Sequence, residues 1–176
     1  YFVFTEPIYT LRTIMAAMAT KDYQQSDIQH MRVATQEGDY ANWYIETFYP
    51  KAELIYVHDV GEGLKLLIEG KTDGVIGDEP VVSYYAGKLG IADKLETIGT
   101  SLYEEPVCLA LPKAKSELVP ILNRAIQTIN ERGQLEKIQQ KWFGISTPLI
   151  SVKSNSKVVK LLVIMAAAFL CAILAG

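Results

Sequence analysis

The residue best placed to do chemistry in this sequence is Asp78, an acid that follows a short apolar segment. Residues 73–77 read DGVIG, with the small and apolar character of a buried strand, and Pro80 then starts a helical pattern. In open α/β sheets, ligands bind outside the carboxyl ends of strands, where side chains and helix N-termini meet. Asp78 therefore stands where a small solute would be held.

The same residues also fit a purely structural role. Asp is a favoured N-cap residue and Pro is favoured in the first turn of a helix, so the sequence D-E-P at positions 78–80 is typical of a helix start. The two interpretations are compatible, because a capping carboxylate at a strand end can still face a cleft.

Composition narrows the classes of function that the chain can have. It has 176 residues and a formal net charge of -3, with no long basic run, which argues against nucleic acid as a partner. The histidines, His30 and His58, have no metal-ligand spacing, and no Ser/His/Asp or Cys/His grouping is apparent. We therefore expect no metal, no cofactor and no catalytic residues. Cys171 lies in an apolar tail, so we expect Cys108 to form no internal disulfide.

The elements that must position Asp78 alternate between strand and helix. We predict strands at 13–19, 31–35, 53–57, 73–77 and 106–111, and helices at 40–48, 60–68, 80–87 and 118–140, the last interrupted at 132–133. This alternation predicts an α/β fold with a mainly parallel sheet covered on both faces.

The C-terminal tail, residues 158–176, is apolar, with Lys160 its one charge. About 20 apolar residues span a bilayer, so we predict a transmembrane helix that is incomplete at its end. The alternative is a buried C-terminal helix. Residues 145–157, rich in Ser, Lys and Asn, read as a linker. Because the chain opens on YFVF without a Met, we also expect its N-terminus to be cut.

Four motifs, in order, resemble those of the type 2 periplasmic solute-binding proteins of the polar amino-acid class, the bacterial extracellular solute-binding family 3. They are FTEPIY at 4–9, RVATQEG at 32–38, EGKTDGVIGD at 69–78 and GQLEKIQQKWFG at 133–144. The resemblance implies a Venus-flytrap fold, in which two α/β lobes joined by crossing strands trap a solute. It assigns 1–9 to the end of a truncated first lobe and 10–105 to a complete second lobe with its hinge strand. Residues 106–144 would be the return hinge strand and helices that pack on the first lobe, and those helices should expose an apolar stripe.

The resemblance also implies a ligand site. Asp78 corresponds to the carboxylate that accepts the ligand's α-ammonium group, and the loop carrying Gln36, Gly38, Asp39 and Tyr40 corresponds to the one that holds the α-carboxylate. That loop normally has Thr or Ser after the glycine, whereas this chain has Asp39. A carboxylate there would repel a ligand carboxylate, unless it turns away to cap the following helix. The alternative is a changed ligand class, such as a cation or a polyamine-like solute, or no ligand.

Two aromatic residues near this loop could either contact a ligand or belong to the core. Tyr40 and Trp43 could stack on a ligand, but the helical spacing of Trp43 with Tyr44 and Phe48 favours a core position for Trp43.

The resemblance implies a binding domain that is not an enzyme and that takes a small polar solute, an amino acid or a related amine. With a membrane helix after it, the domain would sit in the periplasm, tethered to the bacterial inner membrane. We favour the sensor part of a signalling receptor with a cytoplasmic signalling domain. The alternatives are the substrate-binding component of an amino-acid ABC transporter with its permease, a ligand-free structural domain, and a dehydratase-like enzyme on the same fold.

Overall fold

The computed structural model of the chain describes residues 1–143 and the backbone of residues 151–152. The strands are β1 (Phe2–Phe4), β2 (Tyr9–Met18), β3 (Arg32–Gln36), β4 (Glu53–Val57), β5 (Gly74–Asp78), β6 (Leu95–Thr97), β7 (Tyr103–Val107), β8 (Ala110–Pro112) and β9 (Ser151–Val152). The α-helices are α1 (Tyr40–Phe48), α2 (Val60–Ile68), α3 (Glu79–Leu89), α4 (Val119–Glu131) and α5 (Gln134–Phe143).

The main sheet has the strand order β4-β3-β5-β2-β6-β9, and β7 also pairs with β2. Strands β3, β4 and β5 run parallel, as predicted, but β2 runs antiparallel to β5, β6 and β7. The prediction of a mainly parallel sheet was therefore wrong for the half built on β2. A buried apolar strand has the same pattern in either direction, so its sequence does not reveal which way it runs.

Helices cover both faces of this sheet, as the alternation of elements predicted. Successive residues of β2 point to opposite faces, so Ile14 and Ala16 enter one core while Met15 and Ala17 enter the other. The first core is closed by side chains of α2 and α3, and the second by side chains of α1. The end of β5 that carries Asp78 is thus held by helices packed on both faces of the sheet.

The predicted strand at 106–111 is wrong in its extent, because the chain there forms two short strands. β7 pairs with the first half of β2, and β8 pairs with β1 in a separate two-stranded sheet. Cys108 and Leu109 separate the two strands. The chain changes sheets at this point, so one continuous strand cannot form.

The last two helices lie open to solvent on their apolar side. No residue of α4 is buried, and the exposed apolar side chains of this segment are Leu118, Ile121, Ile129, Ile138 and Trp142. The expected exposed stripe is confirmed, as is the interruption between the two helices, where Gly133 adopts a left-handed φ of 64°. The assignment of these helices to the first lobe stays a prediction.

Within residues 1–143 and 151–152, no helix is long and apolar enough to cross a membrane. The predicted transmembrane segment 158–176 lies outside the described residues, as does the predicted linker apart from β9. That short strand pairs in parallel with β6, Ser151 opposite Glu96 and Val152 opposite Thr97.

Candidate functional site

The site is built on three residues that lie side by side on neighbouring strands, Asp78, Thr13 and Tyr103, which we call the rung. Thr13 of β2 lies opposite Asp78 of β5 on one side and opposite Tyr103 of β7 on the other. Residues directly opposite one another in antiparallel strands have neighbouring side chains on the same face. The Thr13 hydroxyl donates a hydrogen bond of 2.9 Å to Asp78 Oδ1.

Asp78 is the last residue of β5 and occupies the N-cap position of α3, but its side chain makes no capping hydrogen bond. The interpretation of this carboxylate as a helix cap is therefore wrong, because its oxygen is turned toward Thr13 instead. Burial raises the pKa of Asp78, the Thr13 hydrogen bond lowers it, and the negative charge of Asp39 raises it further. The carboxylate is thus held where its charged form is disfavoured.

The loop between β3 and α1 brings Asp39 toward this rung. Gly38 has a φ of +77°, in the left-handed region that glycine adopts readily, and the turn closes with a bond from Asp39 N–H to the Gln36 carbonyl of 3.2 Å. Asp39 Oδ1 then accepts the Ala41 N–H at 2.8 Å. The predicted role of Asp39 as the N-cap of α1 is confirmed.

Tyr103 lies on the other side of Thr13 from Asp78, in a negatively charged environment. Burial, with the charges of Asp39, Asp78 and Glu105, raises the pKa of Tyr103 to about 12, although the Thr13 hydroxyl acts to lower it. Tyr103 is therefore a neutral phenol at every physiological pH. It adds a hydrogen-bond donor and an aromatic ring to the row formed by Asp78 and Thr13.

An aromatic cluster borders the rung. We use this name for Tyr40, Trp43, Tyr44 and Phe48 of α1 together with Tyr103. The Tyr40 ring lies 5.3 Å from that of Tyr103, edge to face, and 5.1 Å from that of Trp43, while the Tyr44 and Tyr103 rings lie 4.8 Å apart. These distances are typical of favourable aromatic pairs.

The expectation that Trp43 belongs to the core was wrong. The buried residues of α1 are Ala41 and Ile45, one helical turn apart, and Trp43 lies between them in sequence, on the opposite side of the helix. Its indole is 51% exposed, and Tyr40 is 50% exposed. Both rings are available to a ligand or to another part of the protein.

The structure thus brings Asp78, Asp39 and Tyr40 to one edge of the sheet and adds Thr13 and Tyr103, which the sequence analysis missed. Gln36 is exposed and lines a neighbouring depression of about 460 Å³ with residues that include Glu37 and His58. Its role in ligand binding stays a prediction. Among the described residues, no group of three or more His, Cys, Asp or Glu side chains could hold a metal ion.

Comparisons with known proteins bear on this geometry. The family model of the bacterial extracellular solute-binding proteins, family 3, matches residues 1–145. The chain is 32% identical over 101 residues to the virulence sensor protein BvgS of Bordetella bronchiseptica, a match that covers 54% of this chain and 8% of that protein. It is 26% identical over 147 residues to the ABC transporter arginine-binding protein 1 of Escherichia coli, covering 80% of this chain and 58% of that protein.

Solved structures show the same fold. An ancestral cationic amino acid solute-binding protein superposes with a TM-score of 0.68 at 25% identity, covering 81% of this chain and 62% of the other. The putative ABC-transporter binding component of Wolinella succinogenes, complexed with lysine, gives a TM-score of 0.69 at 21% identity, covering 82% and 64%. The chain therefore spans less than two thirds of each of these relatives.

Proposed function

The chain belongs to the bacterial extracellular solute-binding proteins of family 3, and from this premise we propose that the edge formed by Asp78, Thr13 and Tyr103 binds a small amino-acid-like solute through its ammonium group. The domain performs no chemistry on the solute. Solute binding shifts the population of lobe arrangements, and this shift is the signal that the domain passes on.

The observation that carries this proposal is the state of the Asp78 carboxylate. It is partly buried, its Oδ1 is bonded to the Thr13 hydroxyl, and no cationic side chain among the described residues forms an ion pair with it. A carboxylate withdrawn from water without a cation is unfavourable. A ligand ammonium would remove that penalty and form a charge-assisted hydrogen bond.

The relatives support a basic amino acid or a related amine as the solute. One is named an arginine-binding protein, and a substrate-binding protein from Streptococcus pneumoniae, solved with L-arginine, superposes with a TM-score of 0.65 at 25% identity. Asp78 and Asp39 together suit a ligand that carries more than one positive charge.

A tethered sensor is the arrangement that we favour for the whole protein. The match to BvgS and the predicted membrane helix at 158–176 support it, whereas the match to the arginine-binding protein supports an ABC-transporter component. The coding sequence beyond Gly176 separates the two: a kinase or cyclase domain would support sensing, and its absence together with co-purification of a permease would support transport.

Isothermal titration calorimetry of the full-length protein tests the binding proposal. We expect arginine, lysine or a related amine to bind, and Asp78→Asn to weaken that binding by about 10- to 100-fold, because hydrogen bonds to charged groups contribute about 1.5–3 kcal/mol. Asp93→Asn is the matched control, since it removes the same charge from an exposed residue in the turn before β6. Unchanged affinity in a folded Asp78→Asn protein would refute the proposal.

A further inference from the structure

We propose that this site prefers cationic amines without a carboxylate group over the corresponding amino acids, that Asp39 sets this preference, and that the ring of Tyr103 strengthens binding of the cation. The inference rests on the proposed function, because it requires a solute to bind at Asp78. It names the class of solute that the site selects and adds Tyr103 to the residues that bind it.

Two N–H groups at the N-terminus of α1 are already occupied by Asp39. A helix N-terminus attracts anions because its first N–H groups lack partners and its dipole is positive. Here the Ala41 N–H is taken by Asp39 Oδ1 at 2.8 Å, and the Asn42 N–H is taken by the Asp39 carbonyl at 3.1 Å. The chain supplies its own anion where a ligand carboxylate would otherwise bind.

The charge of Asp39 also extends across the rung. It acts on Asp78 and on Tyr103, raising the pKa of each. A ligand carboxylate in this space would be a third negative charge beside two that already repel each other, whereas a cation would be attracted by both.

The guanidinium next to the rung does not offset these charges. Arg12 precedes Thr13 in β2, and it forms ion pairs with Glu79, Nη1 to Oε2 at 3.4 Å, and with Glu104, Nε to Oε1 at 3.7 Å. Two further carboxylates therefore already share its positive charge. The edge as a whole is negative.

Aromatic rings complete the chemistry of a cation site. Tyr103 lies in the same row as Thr13 and Asp78, and its ring contacts those of Tyr40 and Tyr44. Ring faces attract ammonium and guanidinium groups, and the attraction grows where water is excluded. An alkyl amine can therefore place its charge at Asp78 and its apolar chain or second cation along these rings.

Matched ligand pairs test the preference directly. Agmatine is arginine without its carboxylate, and cadaverine is lysine without its carboxylate, so each pair differs in that one group. With the full-length protein, calorimetry should show agmatine binding at least 10-fold more tightly than arginine, and cadaverine more tightly than lysine. Asp39→Asn keeps a capping oxygen and removes the charge, so it should reduce the agmatine-to-arginine ratio at least fivefold. Tyr103→Leu should weaken both ligands of a pair.

The outcomes separate this inference from the proposed function. Arginine binding as tightly as agmatine, or more tightly, would overturn the preference and leave amino-acid binding at Asp78 intact. A preference that persists unchanged in folded Asp39→Asn and Asp39→Thr proteins would overturn the role of Asp39. Silence toward all four ligands and toward other amines would refute both proposals.

Discussion

The two roles of Asp39, as a helix cap and as a charge, predict different effects on stability and can be separated by two substitutions. Asp39→Ala removes the oxygen that accepts the Ala41 N–H, and loss of an N-cap costs about 0.5–2 kcal/mol. Helix α1 has nine residues, of which only Ala41 and Ile45 are buried, so little packing compensates. We expect the free energy of unfolding to fall by about 1 kcal/mol.

Asp39→Asn should behave differently, because Asn caps helices about as well as Asp. Removing the charge also removes its repulsion of ionised Asp78, whose pKa it raises. We therefore expect the stability of Asp39→Asn to lie within about 0.5 kcal/mol of the native protein. Urea unfolding followed by far-UV circular dichroism measures both changes, with equal m-values confirming that compactness is unaltered.

Asp59→Ala provides the matched control. Asp59 caps α2 through a hydrogen bond of 2.8 Å from the Glu62 N–H, so its loss should cost a similar amount and leave the ligand preference unchanged. If Asp39→Asn were as unstable as Asp39→Ala, or if Asp39→Ala were as stable as the native protein, the assignment of Asp39 as the cap of α1 would fail.

Three further predictions concern charge and packing. Binding of a cationic ligand needs ionised Asp78, whose pKa is raised by burial. As the pH is lowered, calorimetry should therefore show the affinity begin to fall while the pH is still above the ordinary carboxyl range. An affinity that does not depend on pH would contradict this. In Gly74→Ala the new Cβ would lie 2.9 Å from Met15 Sδ and from Met31 Cε, the outer atoms of two flexible side chains buried in the core. These side chains can shift but remain crowded, so we expect urea unfolding to show a loss of about 1 kcal/mol. Gly87→Ala, in α3 with no atom within 4 Å of its Cβ, should instead gain about 0.5–1 kcal/mol. Arg32 lowers the pKa of Asp73 through their side-chain hydrogen bond, so this pair contributes stability above the ordinary carboxyl pKa and loses it as pH falls through the lowered value. Asp73→Asn should therefore cost about 1 kcal/mol at neutral pH and nothing in strong acid, and an equal loss at both pH values would exclude the ion pair as its cause.

Local sequence patterns predicted most of the elements that position the site. Strand β4 has the predicted bounds, and α1 and α2 begin after acids that cap them, Asp39 and Asp59. The start of strand β7 was predicted too late in the sequence. Its first half contains Glu104 and Glu105, which are exposed and interrupt the apolar pattern. Predicting the strand from Pro106 onward therefore missed Tyr103, which completes the rung.

The composition of the site depended on contacts between residues that are distant in sequence. Asp78 and Thr13 are separated by 65 residues, and no local pattern encodes the register that places them opposite each other. Trp43 was misassigned for a different reason. Periodicity identified an aromatic face on α1, but the helix buries Ala41 and Ile45. Of the aromatic residues, Tyr44 packs partly against the core, whereas Trp43 stays exposed.

The aromatic cluster has a spectroscopic consequence. The chain contains two tryptophans, and the indole of Trp43 lies 5.1 Å from the Tyr40 ring at the edge of the site, whereas Trp142 lies in α5 and is 71% exposed. A Trp142→Phe chain would draw its tryptophan fluorescence from Trp43 alone. Trp43 thus gives the aromatic cluster an intrinsic optical reporter, with no dye attached.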